Sequence, residues 1–207
     1  MDERRPERFD ERYSEPGYHY GTEPNEFLKG QKSFLKRGQK ALVPGDGEGR
    51  NGVWLAMQGL DVSTFDLSPV GAEKAKKLAA ERGVAIDARV GDVTTWAWAE
   101  RAYDVIVLSY LHLAPEIRTR VHAAAWRALK PGGLVILEAF GPRQLEMRKR
   151  GAIGGPKILE CLYSVEMMRQ DFPGADFLVL EETEADFEGR THSGRCSVCR
   201  VAARKVA

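Results

Sequence analysis

The segment Ala41-Leu42-Val43-Pro44-Gly45-Asp46-Gly47-Glu48-Gly49-Arg50-Asn51 constrains the fold more than any other part of the chain. A short apolar run enters it, and the periodicity of an amphipathic helix leaves it. Gly45, Gly47 and Gly49 stand at the junction, where a missing Cβ lets the main chain turn sharply and lets a ligand approach backbone atoms. A glycine loop between a strand and a helix N-terminus is a nucleotide-cofactor site in open α/β sheets. Gly47-Glu48-Gly49-Arg50-Asn51-Gly52 also satisfies the spacing G-x-G-x-x-G, which is weak alone and informative in a strand-loop-helix setting.

The punctuation that follows is regular. Ala41 to Val43 reads as a buried strand and Gly49 to Gln58 as a helix ended by Gly59. Val62 to Phe65 is a second strand, closed by Asp66. Ser68-Pro69 supplies an N-cap and first-turn pair for a helix that Gly83 stops. Ile86 to Val90 and Tyr103 to Leu108 are further strands, Pro115 to Leu129 a helix, and Leu134 to Ala139 a fifth strand after Pro131-Gly132-Gly133. Strands alternating with helices, and apolar nearly throughout, mean a parallel sheet covered on both faces. The alternation then stops. A Gly-rich, basic loop runs from Gly141 to Lys157, and a helix starts near Ser164. Phe177 to Phe187 and Arg195 to Ala203 follow without a helix between them, which predicts an antiparallel hairpin. The expected fold is α/β, a Rossmann-like doubly wound sheet.

Residues 1–24 are charged and aromatic with little periodicity, and are expected to be a flexible arm or a lid ahead of a single domain at 25–207. A helix is expected from Asn25 to Lys36. Lys plus Arg (31) balances Asp plus Glu (30), so no global charge argues for nucleic acid or an anionic membrane. No apolar stretch approaches the roughly 20 residues of a membrane span, and Met1 to Pro6 lacks the apolar core of a secretory signal. A cytoplasmic protein is expected. Cys196 and Cys199 fall in a strand-like run, where residues three apart face opposite ways, so neither a metal clamp nor a disulfide is expected.

Electrostatics narrows the cofactor. A pyrophosphate would seek the helix N-terminus, where Asp46 and Glu48 would repel it. S-adenosylmethionine carries a sulfonium and an ammonium, which suit those carboxylates. Asp66, at the end of the second strand, is placed to accept ribose hydroxyls. Asp92, within Gly91-Asp92-Val93, is placed to accept from an adenine amino group with the Val93 amide beside the ring. The expected cofactor set is Gly45, Asp46, Gly47, Arg50, Asn51, Asp66, Leu67, Asp92, Val93 and Ser109.

Val43 to Gly49, Phe65-Asp66-Leu67-Ser68, Gly91-Asp92-Val93, Tyr103 to Ile106 and Leu129-Lys130-Pro131-Gly132-Gly133 together resemble the class I S-adenosylmethionine-dependent methyltransferases over residues 38–140. Glu48-Gly49-Arg50-Asn51, followed by Val53-Trp54-Leu55-Ala56, is similar to the tellurite-resistance-type branch. The resemblance implies a seven-stranded sheet with its last strand antiparallel. One position departs from the family pattern: Val43 stands where an acidic residue often precedes the first glycine, so its hydrogen bond to the loop is missing or supplied elsewhere.

Methyl transfer from a sulfonium is an in-line displacement, and positioning supplies much of the rate. A base is needed only when the nucleophile arrives protonated. Strand C-termini form the ligand crevice of such sheets, which points to Ser109-Tyr110-Leu111-His112-Leu113. His112 is the candidate base or substrate orienter, Tyr110 and Glu138 are candidate neighbours, and Tyr20, with Tyr18 and His19, is a candidate closing group from the arm. His192 is expected to be exposed in the hairpin turn, and Arg148-Lys149-Arg150 to be a solvated loop. No His/Cys/Asp spacing indicates a metal. The expected activity is methylation of a small molecule or small anion, with no nucleic-acid partner. The alternatives are a non-catalytic cofactor-binding module and a nucleotide-dependent oxidoreductase.

Overall fold

The computed structural model describes residues 6–188 and 192–206. The chain forms two compact units, Met1–Ala97 and Trp98–Ala207.

The first unit holds helices α1 (Pro6–Tyr13) and α2 (Glu26–Gly30), strand β1 (Lys40–Pro44), α3 (Arg50–Met57), β2 (Asp61–Asp66), α4 (Pro69–Glu81) and β3 (Asp87–Val90). β2 lies between β1 and β3 and pairs parallel with both, Val43 standing opposite Thr64. Ala41, Leu42 and Val43 are buried, as an apolar run in a covered parallel strand requires. Ser68 caps α4 by accepting from the Gly71 amide at 3.1 Å, with Pro69 in the first turn. Val53 of α3 packs on Leu78 and Ala79 of α4.

Two expectations change in this unit. The helix expected from Asn25 to Lys36 is shorter: α2, capped by the Asn25 side chain at the Leu28 amide, gives way after Gly30 to a 3-10 turn at Lys32–Phe34. A glycine at that place weakens helical continuation. The segment before it contains α1, whose Phe9 and Tyr13 are four apart on one face, and Tyr13 is buried.

The second unit runs β4 (Tyr103–Ser109), α5 (Pro115–Ala128), β5 (Leu129–Phe140), α6 (Gln144–Lys149), α7 (Val165–Asp171), β6 (Ala175–Glu188) and β7 (Ser193–Lys205). β4 and β5 are parallel. β7 lies between β5 and β6, antiparallel to both. Most of the expected hairpin turn, residues 189–191, lies outside the described residues. β5 begins at Leu129 instead of Leu134, because Leu129 pairs with Tyr103 before an irregularity, after which Leu134 pairs with Val105. α6 occupies part of the stretch expected as a loop. Its Gln144 and Met147 are buried, an anchor two residues wide that the surrounding glycines and basic residues mask.

Together the two units supply the seven strands of the mostly parallel, Rossmann-like sheet that the sequence predicts, with helices around it and a C-terminal antiparallel pair. Cys196 and Cys199 are buried free thiols on β7, whose central residues are covered on both faces. Burial pushes the Cys199 thiol up to about 12, which makes it a poor nucleophile and metal ligand. Among the described residues no helix is long and apolar enough to cross a membrane.

Candidate cofactor and acceptor sites

In the first unit the glycine loop leaves β1 and is fixed where Phe65 ends β2. The Gly45 amide donates to the Phe65 carbonyl at 2.7 Å. Gly45, Gly47 and Gly49 all have positive φ, a conformation that disfavours any residue with a Cβ. Gly49 is also an approach point: a Cβ there would lie 2.6 Å from that of Ala75 on α4.

The loop's carboxylates divide their work. Asp66 accepts from the Gly47 amide at 2.9 Å through Oδ2 and from the Ser68 amide at 3.0 Å through Oδ1. Each oxygen keeps a second lone pair for an incoming hydroxyl. Burial raises its pKa, opposed by those amides. Asp46 turns back toward α3 and accepts from the Gly52 amide at 3.0 Å. It thus serves an orphan N–H of the helix start, since Gly49 at the cap has no side chain. Its Oδ1 has no partner among the described residues. Burial pushes its pKa up to about 7, with Asp66 adding to the rise and the Gly52 amide and Arg50 opposing it. Asp46 therefore ties the loop to its helix, a contact that Val43 cannot make.

Glu48 behaves differently from the sequence expectation. Lys74 donates to its Oε1 at 2.9 Å and the His19 amide to its Oε2 at 2.6 Å. Its charge is met from within the protein, so the argument for a cationic ligand passes to Asp66 and, when ionised, Asp46. Arg50 reaches the Tyr20 carbonyl at 3.5 Å, and the Asn51 Oδ1 accepts from the Asn25 amide at 2.9 Å. Both thereby fasten the N-terminal segment beside the loop. Tyr20 is in that segment, its hydroxyl accepting from Arg12.

On the other side of Phe65, Trp96 stacks at a centroid distance of 3.9 Å and 14° between planes. A Cβ on Gly91 would lie 2.7 Å from the Trp96 ring. Asp92 accepts through Oδ1 from the Thr94 amide and hydroxyl at 2.7 and 2.8 Å, and Val93 is buried. The first unit thus brings Gly45, Asp46, Gly47, Asp66 and the turn after β3 around one strand edge. Sequence reasoning missed Tyr13, Lys74 and Trp96. Tyr13 and Lys74 act through residues far away in sequence, and Trp96 gave no signal beyond its size.

The second unit gathers the expected acceptor residues after β4. Tyr110 holds φ at +53°, a costly setting for a bulky residue that surrounding contacts must enforce. Its amide donates to the Glu138 carbonyl at 2.7 Å and its hydroxyl to Glu138 Oε1 at 2.6 Å. Arg200 meets the other oxygen of this buried carboxylate at 2.6 Å. Tyr163 pins the same loop, donating to the Leu111 carbonyl at 2.7 Å and accepting from the Leu113 amide at 3.1 Å.

His112 is engaged at both nitrogens. A carbonyl only accepts, so Nδ1 carries the proton and donates to Cys161 at 2.8 Å, and Nε2 accepts from the Phe140 amide at 3.2 Å. Burial pushes its pKa down to about 4, against the Cys161 bond. In this arrangement the ring is a backbone spacer, and the lone pair a general base needs is occupied. His192, expected to be exposed, is half-buried, its ring centroid 5.1 Å from Tyr110 and 4.9 Å from Phe140. Ser109 Oγ is buried without a partner among the described residues.

Residues 41–133 match the family described as "Methyltransferase domain". No curated protein matches the chain in sequence. Solved structures share the fold. A protein from work on conversion of a disulfide bond into a thioacetal group during echinomycin biosynthesis superposes with a TM-score of 0.75 at 21% identity, over 97% of this chain and 91% of that one. TehB from Haemophilus influenzae gives 0.72 at 17%, over 87% of this chain and 62% of that one. Magnesium protoporphyrin IX methyltransferase from Synechocystis, solved with bound S-adenosylhomocysteine, gives 0.67 at 17%, over 87% and 82%. At such identities the likeness is one of fold. The family match spans the glycine loop, Asp66 and Asp92, so that residues 41–133 read as a methyltransferase domain.

Proposed function

We propose that this methyltransferase acts on a small molecule or small anion by in-line transfer. What supports the donor side is the first unit's loop: three positive-φ glycines beside a buried Asp66 whose oxygens keep free lone pairs. S-adenosylmethionine, when bound, supplies an electrophilic methyl group. Asp66 is assigned the ribose, and the Asp92 turn the adenine. With Glu48 turned to protein partners, Asp66 and, when ionised, Asp46 are left to meet the cofactor's charge.

On the acceptor side, Tyr110 is the residue we assign to substrate, because its strained backbone and the Glu138–Arg200 pair fix its hydroxyl. His112 orients this loop and moves no proton. Catalysis then rests on placing an acceptor that is already nucleophilic, such as an anion or thiolate, at about 3 Å from the methyl carbon. Residues 1–24 are assigned to an arm that closes on residues 25–207, and the cytoplasm is the proposed compartment.

The test is S-adenosylhomocysteine formation from S-adenosylmethionine over an acceptor panel containing tellurite, selenite, thiols, halides and small amines. Turnover confined to anionic or thiolate acceptors supports the reading. Turnover only of acceptors that arrive protonated, such as ammonium-form amines, refutes the base-free mechanism. Donor binding with no turnover on any acceptor makes the chain a binding module.

A further inference from the structure

The arm delivers a side chain to the cofactor loop. Tyr13, the last residue of α1, is only 4% exposed. It is aimed at the loop: a Cβ on Gly47 would lie 2.7 Å from the Tyr13 oxygen. On the other side, a Cβ on Gly71 would lie 3.0 Å from the ring. Two glycines thus make the slot, and Asp66, bonded to the Gly47 amide, is among the charges acting on this phenol.

The slot is held shut by several bonds. The Lys74 ammonium has three protons and three acceptors: the Glu15 carbonyl at 2.8 Å, the Gly17 carbonyl at 2.6 Å and Glu48 Oε1 at 2.9 Å. Glu48 Oε2 takes the His19 amide, and Ser68 donates to Asp10. Lys74–Glu48 joins α4 to the glycine loop, and each of the other bonds ties residues 10–19 to that loop, to α4 or to its cap. The hydroxyl they hold lies against Gly47, in the loop where the cofactor is to be held.

We propose that Tyr13 is a cofactor-binding residue whose hydroxyl hydrogen-bonds the bound S-adenosyl group beside Asp66, with Lys74 and Glu48 as the positioning pair that keeps it there. This rests on the methyl-donor reading above. The assignment explains why a short helix that buries Tyr13 is fastened so heavily, and why Gly47 and Gly71 both leave room for a ring.

The experiment is calorimetric titration of the full chain with S-adenosylhomocysteine. Wild-type protein that fails to bind sinks the donor reading, and this inference with it. Given wild-type binding, Tyr13→Phe keeps the ring and removes the oxygen. We expect affinity to fall five- to twentyfold with an unchanged melting temperature, the loss appearing in the dissociation rate. Lys74→Met unfastens the arm and is expected to weaken binding similarly, whereas Lys76→Met, at an exposed lysine two residues along α4, is expected to leave it unchanged. Tyr13→Phe binding as tightly as wild type, or more tightly, overturns the proposal: the tyrosine would then be a wedge or a plug. Lys74→Met at wild-type affinity overturns the positioning role.

Discussion

His112 Nδ1 lies 2.8 Å from the carbonyl oxygen of Cys161, and that one bond fixes the tautomer of the ring. With Nε2 already accepting from Phe140, protonation would set an N–H against an N–H. The pKa falls to about 4, chiefly through burial. Unfolded, the imidazole titrates near 6.5. Between these values the unfolded chain binds a proton that the native one refuses, so the native state loses stability as pH falls from 7 toward 4. The loss from His112 is expected to be roughly 2 kcal/mol. Buried His122, also shifted down, adds to it with the same sign. Urea unfolding at pH 7 and pH 5 checks this, with His112→Asn giving a shallower dependence. A pH–rate profile showing an ionisation near 6.5 that His112→Asn abolishes would restore the ring as a base.

Asp66 bears on binding more directly. Asp66→Ala removes the acceptor for two loop amides and leaves the ribose hydroxyls unpaired. Affinity for S-adenosylmethionine is expected to fall by roughly 1–3 kcal/mol, measured by calorimetry. Unchanged affinity takes Asp66 out of the site.

The strands were legible because Ala41 to Val43 and Val105 to Leu108 are apolar throughout, as only strands covered on both faces are. The loop was legible because no residue but glycine sits easily at three alternating positive-φ positions. What the sequence hid was partnership. Glu48 looked available for a cation because nothing near it in sequence revealed Lys74, and His112 looked like a base because Cys161 is 49 residues away. α1 was invisible because Tyr13 is the one buried side chain among those described at 7–13, too short a stripe for periodicity to register.

Asp46 should reveal itself in stability. Its carboxyl, near 3.9 when unfolded, is pushed up to about 7 by burial. From pH 4 to 7 the native state keeps a proton that the unfolded chain has lost, so this group's contribution declines as pH rises through that window and is flat above it. Asp46→Asn keeps an oxygen for the Gly52 amide and removes the buried charge. It is expected to exceed wild type by roughly 2–4 kcal/mol at pH 8, with the gap closing toward pH 4. Thermal unfolding at the two pH values reads it, and a variant less stable at pH 8 would show that the ionised form is well solvated.

In the second unit Asp171 Oδ2 accepts from Arg118 Nε at 2.8 Å and His122 Nδ1 at 2.7 Å, all three side chains buried. Burial alone would raise the carboxyl, yet the His122 and Arg118 bonds and charges hold it below its ordinary value. His122, neutral, spends its one N–H here and leaves Nε2 unpartnered among the described residues. The Arg118 guanidinium also lies 5.8 Å from the centre of the Tyr163 ring, whose hydroxyl holds the loop after β4. Asp171→Asn therefore strands a buried cation and loosens the support of that loop. Removing one partner of a buried pair costs about 3–5 kcal/mol, and urea titration at pH 7 is expected to show a loss of that order. Asp171→Asn is also expected to leave S-adenosylhomocysteine affinity intact, because every residue assigned to the donor lies in the first unit except Ser109. A large loss of donor affinity in a folded Asp171→Asn protein would refute that division of labour.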